Sequence, residues 1–337
     1  MISCAWLCLM RILPLGTGPF AVPTFRWLLA SEHTVPALVT RPTPPTKGCE
    51  KVFLLNPMHY VAIERSLEVY APDSINTEEA RQKLAAWQPD LLMVCDYGQI
   101  LSRELLAVAP LGGINLHGSL LPKYRGAAPV HWAVYNGDAE TGVTVIHMTP
   151  RLDGGPCLAV RRTPIGSEET MAELEQRLSV LGVEAVQEAI EKLSRWDRVS
   201  PIGEIQDQSQ ATKAPRLKKT DGAVGWTRSA EQIRNQVRAF KPWPATYTHW
   251  LRAGAEPLRI LLDKVSVVSP STPDAQPGQV LLSDGKQLFI ATGSDSLSIH
   301  ALQPAGKRVM GIAEFLRGYP VRAGDRFGNQ PEALARE

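Results

Sequence analysis

The stretch RILPLGTGPFAVPTF, residues 11–25, sets the reading of the first half of the chain. An apolar run over residues 11–15 enters the turn Gly16-Thr17-Gly18-Pro19-Phe20-Ala21, and a helical pattern continues over residues 21–30. Strand, tight turn and helix in that order form the opening unit of an α/β sheet. The turn also satisfies the G-x-G-x-x-[GA] spacing found around dinucleotides, yet such glycines alone report only that a strand-to-helix turn is tight. Pro19 removes one backbone N–H from any anion cradle, and the next strand, residues 33–39, ends in Thr40-Arg41-Pro42 with no carboxylate for a ribose hydroxyl. No NAD is expected.

Further strand-like pieces lie at 35–39, 67–70, 90–95, 113–116, 141–147 and 158–162, with a second early helical pattern at 77–87. Their alternation with helices predicts a Rossmann-like parallel sheet whose ligands bind beyond the carboxyl ends of the strands. Residues 167–195 predict a long amphipathic helix, with Met171, Leu174, Leu178, Leu181, Val183, Val186, Ile190 and Leu193 close to a 3.6-residue period. Residues 199–215 are polar, Gln-rich and aperiodic, which reads as a linker. Beyond it a short helix, 229–240, is stopped by Pro242 and Pro244, and brief strands at 246–251, 257–267, 278–282, 288–291 and 297–302 predict a small OB-like β-barrel. The expected division is a catalytic domain over 10–198, a linker over 199–215 and a barrel domain over 216–330.

A chain of 337 residues is long enough for two domains, and 44% hydrophobic with 21% charged residues is ordinary for a globular protein. No apolar run reaches membrane-spanning length. Residues 1–9 are apolar and uncharged, lack the basic start of a signal peptide and precede Arg11; they read as an upstream extension, with Met10 the natural first residue. The five cysteines form no paired metal spacing, so no metal is expected and reduced thiols in a cytoplasmic protein are. Residues 206–337 hold 18 Lys and Arg against 12 Asp and Glu, a net +6 that the acidic first part hides in the overall +2. The second domain is therefore the better partner for a polyanion.

The chemistry is concentrated in residues 112–156. A strand delivers Asn115 and His117 to one face at period two, straight into a Gly-Ser-Leu-Leu-Pro turn, and a later strand ends near Leu152-Asp153-Gly154-Gly155. Asn, His and Asp suit the movement of a one-carbon acyl group onto an amine. An amide N–H can hold the negative oxygen that develops at the formyl carbon, an imidazole can shuttle a proton near neutral pH, and a carboxylate can orient the imidazole or accept a proton through water.

Asn115-x-His117-Gly118-Ser119-Leu120-Leu121-Pro122, followed by Tyr124-Arg125-Gly126-Ala127-Ala128-Pro129, Gly142-Val143-Thr144 and Leu152-Asp153-Gly154-Gly155, resembles the signature of the folate-dependent formyltransferases. The resemblance implies that Asn115, His117 and Asp153 are the catalytic trio. It implies also that Ser119, Leu120, Leu121 and Pro122 contact the donor, 10-formyltetrahydrofolate. In the second domain, residues 225–226, 230–248 and 302–318 resemble the barrel of the branch that formylates charged tRNA, which implies initiator methionyl-tRNA as acceptor. Nothing in the sequence requires more than a monomer, and no membrane attachment is expected. The acceptor-facing candidates are then Phe20, as a wall for the methionine side chain, and Arg41, Lys47, Lys51, Lys213, Arg216, Lys218, Lys219, Arg234, Arg238, Lys241, Lys307 and Arg308. Where that branch carries a basic, glycine-containing loop, residues 41–57 are proline-rich, and Asp96 stands where relatives usually have a small residue. A sugar-nucleotide N-formyltransferase sharing the trio and the donor is the alternative.

Overall fold

The computed structural model describes residues 9–43, 56–252, 254–269 and 274–328. These fall into two compact units, one within Met1–Val130, Glu140–Ile165 and Glu173–Pro215, the other within His131–Ala139, Gly166–Ala172 and Arg216–Glu337.

In the first unit, β1 (Ile12–Gly16) leads through the glycine turn to α1 (Val22–Ala30) and β2 (Leu38–Val39). There follow α2 (Pro57–Glu64), β3 (Val69–Tyr70), α3 (Glu78–Ala86), β4 (Leu91–Cys95), α4 (Arg103–Leu106) and β5 (Gly113–His117). α5 (Pro129–Asn136), which from His131 onward is part of the second unit, precedes β6 (Glu140–His147) and β7 (Cys157–Pro164) of the first, and α6 (Met171–Ser194), in the first unit from Glu173, follows. The sheet order is β3-β2-β1-β4-β5-β6-β7, with parallel pairing from β3 to β5. Every residue of β1 and β4 is buried, which is why both read as unbroken apolar runs. The parallel expectation stops at β5: β6 runs back against β5 and β7 against β6. Hydrophobic alternation carries no strand direction, so the reversal could not be read from it.

Local chemistry sets the helix ends. Thr77 caps α3 by accepting from Ala80 N, with Glu78 and Glu79 in the first turn and Lys83 in the last. α6 starts at Met171, four residues after the expected Ser167, and buries Leu174, Leu178, Ala185, Val186, Ala189, Ile190 and Leu193 along its apolar stripe.

In the second unit, Ser229 and Gln232 form a reciprocal capping box at the start of α7 (Ala230–Ala239). The strands are β8 (Thr246–Leu251), β9 (Leu258–Val268), β10 (Val280–Ser283), β11 (Leu288–Ala291), β12 (Ser296–Pro304), β13 (Met310–Gly311) and β14 (Arg326–Gly328), with α8 (Ile312–Gly318) before the last. They form an antiparallel sheet in the order β10-β11-β12-β9-β8-β14, β13 lying on β12. A bridge between Gln279 and Arg326, with Val280 N donating to Asp325 O at 2.8 Å and Phe327 N to Gly278 O at 2.7 Å, nearly closes the sheet into a barrel. Alternate residues of β8 point inward, and the core gathers Trp226, Ile233, Ile260, Leu262, Ile290, Leu297, Ile299 and Phe315.

Residues 199–215 differ from the linker reading. From Glu204 onward this segment is bonded into the first unit: Glu204 and Cys157 exchange backbone hydrogen bonds at 2.8 Å, and Arg125 pairs with the chain at Lys213. Its contacts use side-chain amides and backbone rather than apolar side chains, so it carries no hydrophobic period.

Candidate active site

β1 and β4 lie side by side where the strand order reverses, the place where an α/β sheet opens a crevice at its carboxyl ends. Thr17 N and Gly18 N both donate to Asp96 O, at 3.1 and 3.4 Å, tying the turn after β1 to the turn after β4. The Asp96 carboxylate rests on Gly18 so closely that a Cβ there would meet Oδ2 at 1.7 Å. Asp96 is an exposed residue, yet the protein crowded around its carboxylate desolvates it and raises its pKa to about 6. Glu175 of α6 is raised to about 7, by burial first and then by the charge of Asp96.

β5 carries the trio's first two members. Leu116 faces Gly182 of α6, so its neighbours Asn115 and His117 share the opposite face. His117 and Asp153 are both buried, and Asn115 is half-buried. His117 Nε2 lies 2.9 Å from Tyr124 O, and Nδ1 lies 3.8 Å from Asp153 Oδ1. A carbonyl can only accept, so Nε2 carries hydrogen, and in the neutral ring Nδ1 is the bare nitrogen that faces the carboxylate. A proton arriving at Nδ1 therefore sits beside a negative charge. Asn115 Nδ2 donates to Asp153 Oδ1 at 3.4 Å with one hydrogen, leaving the other for a ligand oxygen. Asp153 itself has left-handed backbone (φ 48°) and accepts from Gly126 N at 2.8 Å on its second oxygen.

The turn after β5 is equally fixed. Ser119 Oγ donates to Lys123 O at 2.7 Å, and Thr144, opposite His117 in register on β6, donates to Ser119 O at 2.7 Å while accepting from Leu121 N at 3.1 Å. The Leu121–Pro122 peptide is cis, and Leu120 packs over Gly142, where a Cβ would meet its Cδ2 at 2.6 Å. The hydrogen bonds of Ser119, Leu121 and Thr144 hold Ser119, Leu120, Leu121 and Pro122 in one turn after His117.

The remaining candidates are placed unevenly. Phe20 is buried, its ring tip 3.4 Å from where a Cβ on Gly118 would lie, so it adjoins the same turn. Arg41 is exposed, its guanidinium near Gly98. Lys47 and Lys51 lie outside the described residues, as does most of the upstream extension, residues 1–8. Lys213, Arg216, Lys218, Lys219 and Lys307 are exposed. Arg238 is engaged within its own unit, donating to Asn235 Oδ1 at 2.9 Å, Glu169 O at 3.0 Å and Gly166 O at 3.1 Å. Arg234 pairs with Glu168 and Glu231, Lys241 with Asp263, and Arg308 with Glu314.

Sequence reasoning missed the supporting residues. Thr144 stood inside the quoted signature without a role, and register against His117 supplies one. Tyr124 and Gly126 act through backbone atoms that any residue possesses, so their side chains gave no signal. Among the described residues no group of three or more His, Cys, Asp or Glu side chains is arranged to hold a metal, and no helix is long and apolar enough to cross a membrane.

Fold and site together define a one-carbon acyl transferase. Residues 10–190 match the formyl transferase family and residues 216–320 its C-terminal domain. The chain is 43% identical over 326 residues to a methionyl-tRNA formyltransferase of Rhodopirellula baltica, covering 94% of this chain and 96% of that one. It is 41% identical over 319 residues to a methionyl-tRNA formyltransferase of Methylococcus capsulatus, covering 95% and 100%. Among solved structures the fold resembles HypX from Aquifex aeolicus in complex with tetrahydrofolic acid, at 18% identity and a TM-score of 0.60 over 98% of this chain and 50% of that one. It also resembles an N-formyltransferase from Helicobacter canadensis in complex with folinic acid and dTDP-3-aminofucose, at 14% identity and 0.60 over 86% and 98%. The chain belongs to the methionyl-tRNA formyltransferase family.

Proposed function

We propose that the chain transfers the formyl group of 10-formyltetrahydrofolate to the amino group of methionyl-initiator tRNA, giving N-formylmethionyl-tRNA and tetrahydrofolate for translation initiation. The observation that supports the reading is the convergence of Asn115, His117 and Asp153, with the bare His117 Nδ1 facing a carboxylate, in a chain related over 94–95% of its length to members of the family. The donor supplies an electrophilic formyl carbon on nitrogen. The neutral amine of the methionyl ester attacks that carbon; the new C–N bond forms, the bond to the folate nitrogen breaks, and that nitrogen leaves with a proton. Asn115 Nδ2 offers its free hydrogen to the oxygen that turns negative as the amine adds. His117 Nδ1 accepts the proton the amine must lose, Asp153 stabilises the resulting imidazolium, and the imidazolium returns that proton to the departing folate nitrogen. The Ser119-Leu120-Leu121-Pro122 turn contacts the donor, and Phe20 borders the methionine side chain. Exposed Arg41, Lys213, Arg216, Lys218, Lys219 and Lys307 meet tRNA phosphates. The acceptor is a cytoplasmic species, and the chain is taken to act there as a monomer. Purified chain mixed with 10-formyltetrahydrofolate should formylate charged initiator tRNA and lose that activity in His117→Ala. Formylation of an aminosugar nucleotide with charged tRNA left untouched would replace this reading with the sugar-nucleotide alternative.

A further inference from the structure

We infer that Gln206 is a positioning residue for the proposed reaction, locking Asp153 and the His117 side of the site into one rigid unit. Its side chain is buried, and both ends of the amide are fully used. Nε2 donates to Asp153 O at 2.8 Å and Gly155 O at 2.7 Å, while Oε1 accepts from Arg125 Nε at 3.1 Å and Nη2 at 2.6 Å. Two donors and two acceptors exhaust what a primary amide normally offers, so its orientation is determined. One end clamps the loop in which Asp153 has left-handed backbone, a conformation that aspartate tolerates better than most residues.

The other end grips Arg125, whose neighbours serve the trio directly: Tyr124 O receives His117 Nε2, and Gly126 N donates to Asp153 Oδ2. The same strap holds that loop a second time. Arg125 N donates to Thr212 O at 2.9 Å, Ala214 N to Arg125 O at 2.7 Å, and Tyr124 N to Thr212 Oγ1 at 2.8 Å. Gly126 (φ 126°) passes so near that a Cβ would meet Ala214 O at 2.5 Å. The 204–214 strap therefore fixes the His117-to-Asp153 geometry from outside the trio, and Gln206 holds both loops with a single side chain.

The test is Gln206→Met, which keeps length and removes every hydrogen bond. kcat should fall about 10- to 100-fold, the scale of a misplacement near 1 Å, with KM for either substrate within about twofold. The same substitution made in Asp153→Asn should cost little more, measured under single turnover, because residues acting as a unit are not additive. Gln206→Glu, which keeps a partner for Arg125 while losing both donors, should show the same pattern. Wild-type kcat in both variants, a loss confined to KM, or an unchanged penalty in Asp153→Asn would each overturn the inference. It rests on the proposed reaction. Should the wild-type chain formylate nothing, that reading fails by itself, and the inference is then judged by nitrogen NMR of the His117 ring: its pH titration should move in Gln206→Met, and an unmoved titration would overturn the inference.

Discussion

At His117 the Tyr124 carbonyl decides which ring nitrogen holds hydrogen, and so which one can take a proton from an amine. His117→Ala should lower single-turnover formylation by about 10²- to 10⁴-fold, the range of a lost general base. Asn115→Ala should cost on the order of 10²- to 10³-fold in kcat, the loss of one oxyanion donor, and near wild-type turnover would remove that role. Asp96 and Glu175 support a prediction of another kind. Both bind protons more tightly folded than unfolded, with values raised from 3.8 to about 6 and from 4.5 to about 7. Their contribution to stability is thus fullest below the unfolded values and is lost as pH rises through the folded ones, levelling off above about 7. Urea unfolding from pH 4 to 8 should show a shallower decline in Asp96→Asn and in Glu175→Gln than in the wild type. An identical decline in all three proteins would exclude desolvation of these carboxyls as its source.

Among the elements, the loop after β5 depends on close backbone approach to the strap. Gly126→Ala places a methyl group against Ala214 O and an L side chain at φ 126°, a strain on the order of 1–3 kcal/mol. Urea unfolding should report that loss, and kcat should fall with it, since Gly126 N is the donor to Asp153 Oδ2. An alanine variant with native stability and turnover would mean that the loop tolerates a wider spacing. The same loop shows where sequence reading stops. β8 and β11 match their apolar runs to the residue, and Asn115 and His117 were legible because period two puts them on one face at a strand end. The reversal at β6 was not legible, since an alternating strand looks the same in either direction. Nor was the strap, because bonding through Gln206 and Thr212 leaves no apolar rhythm, and Thr212 is itself exposed.

For the whole molecule, the charge excess of residues 206–337 bears on the proposed acceptor, because tRNA is a polyanion with condensed counterions. Binding of initiator tRNA should weaken with salt, the logarithmic slope falling by roughly 0.7 to 0.9 for each phosphate neutralised. Lys218→Gln, Lys219→Gln and Lys307→Gln, all at exposed positions, should each reduce that slope by about 1 and leave the KM for the folate donor unchanged. Arg238 provides the contrast within the same basic set. Its guanidinium satisfies Asn235 Oδ1 and the carbonyls of Gly166 and Glu169, and it is half-buried there. Removing it takes a donor from buried Asn235 Oδ1 and from Glu169 O, which costs about 1–3 kcal/mol. Arg238→Gln should accordingly lower the unfolding midpoint while keeping the salt slope of the wild type, whereas the three lysine variants should keep the midpoint and lose slope. Titration of each variant with tRNA at 50, 100 and 200 mM salt, beside its urea unfolding curve, separates the two behaviours. A lower slope in Arg238→Gln with an unmoved midpoint would assign that arginine to phosphate contact instead.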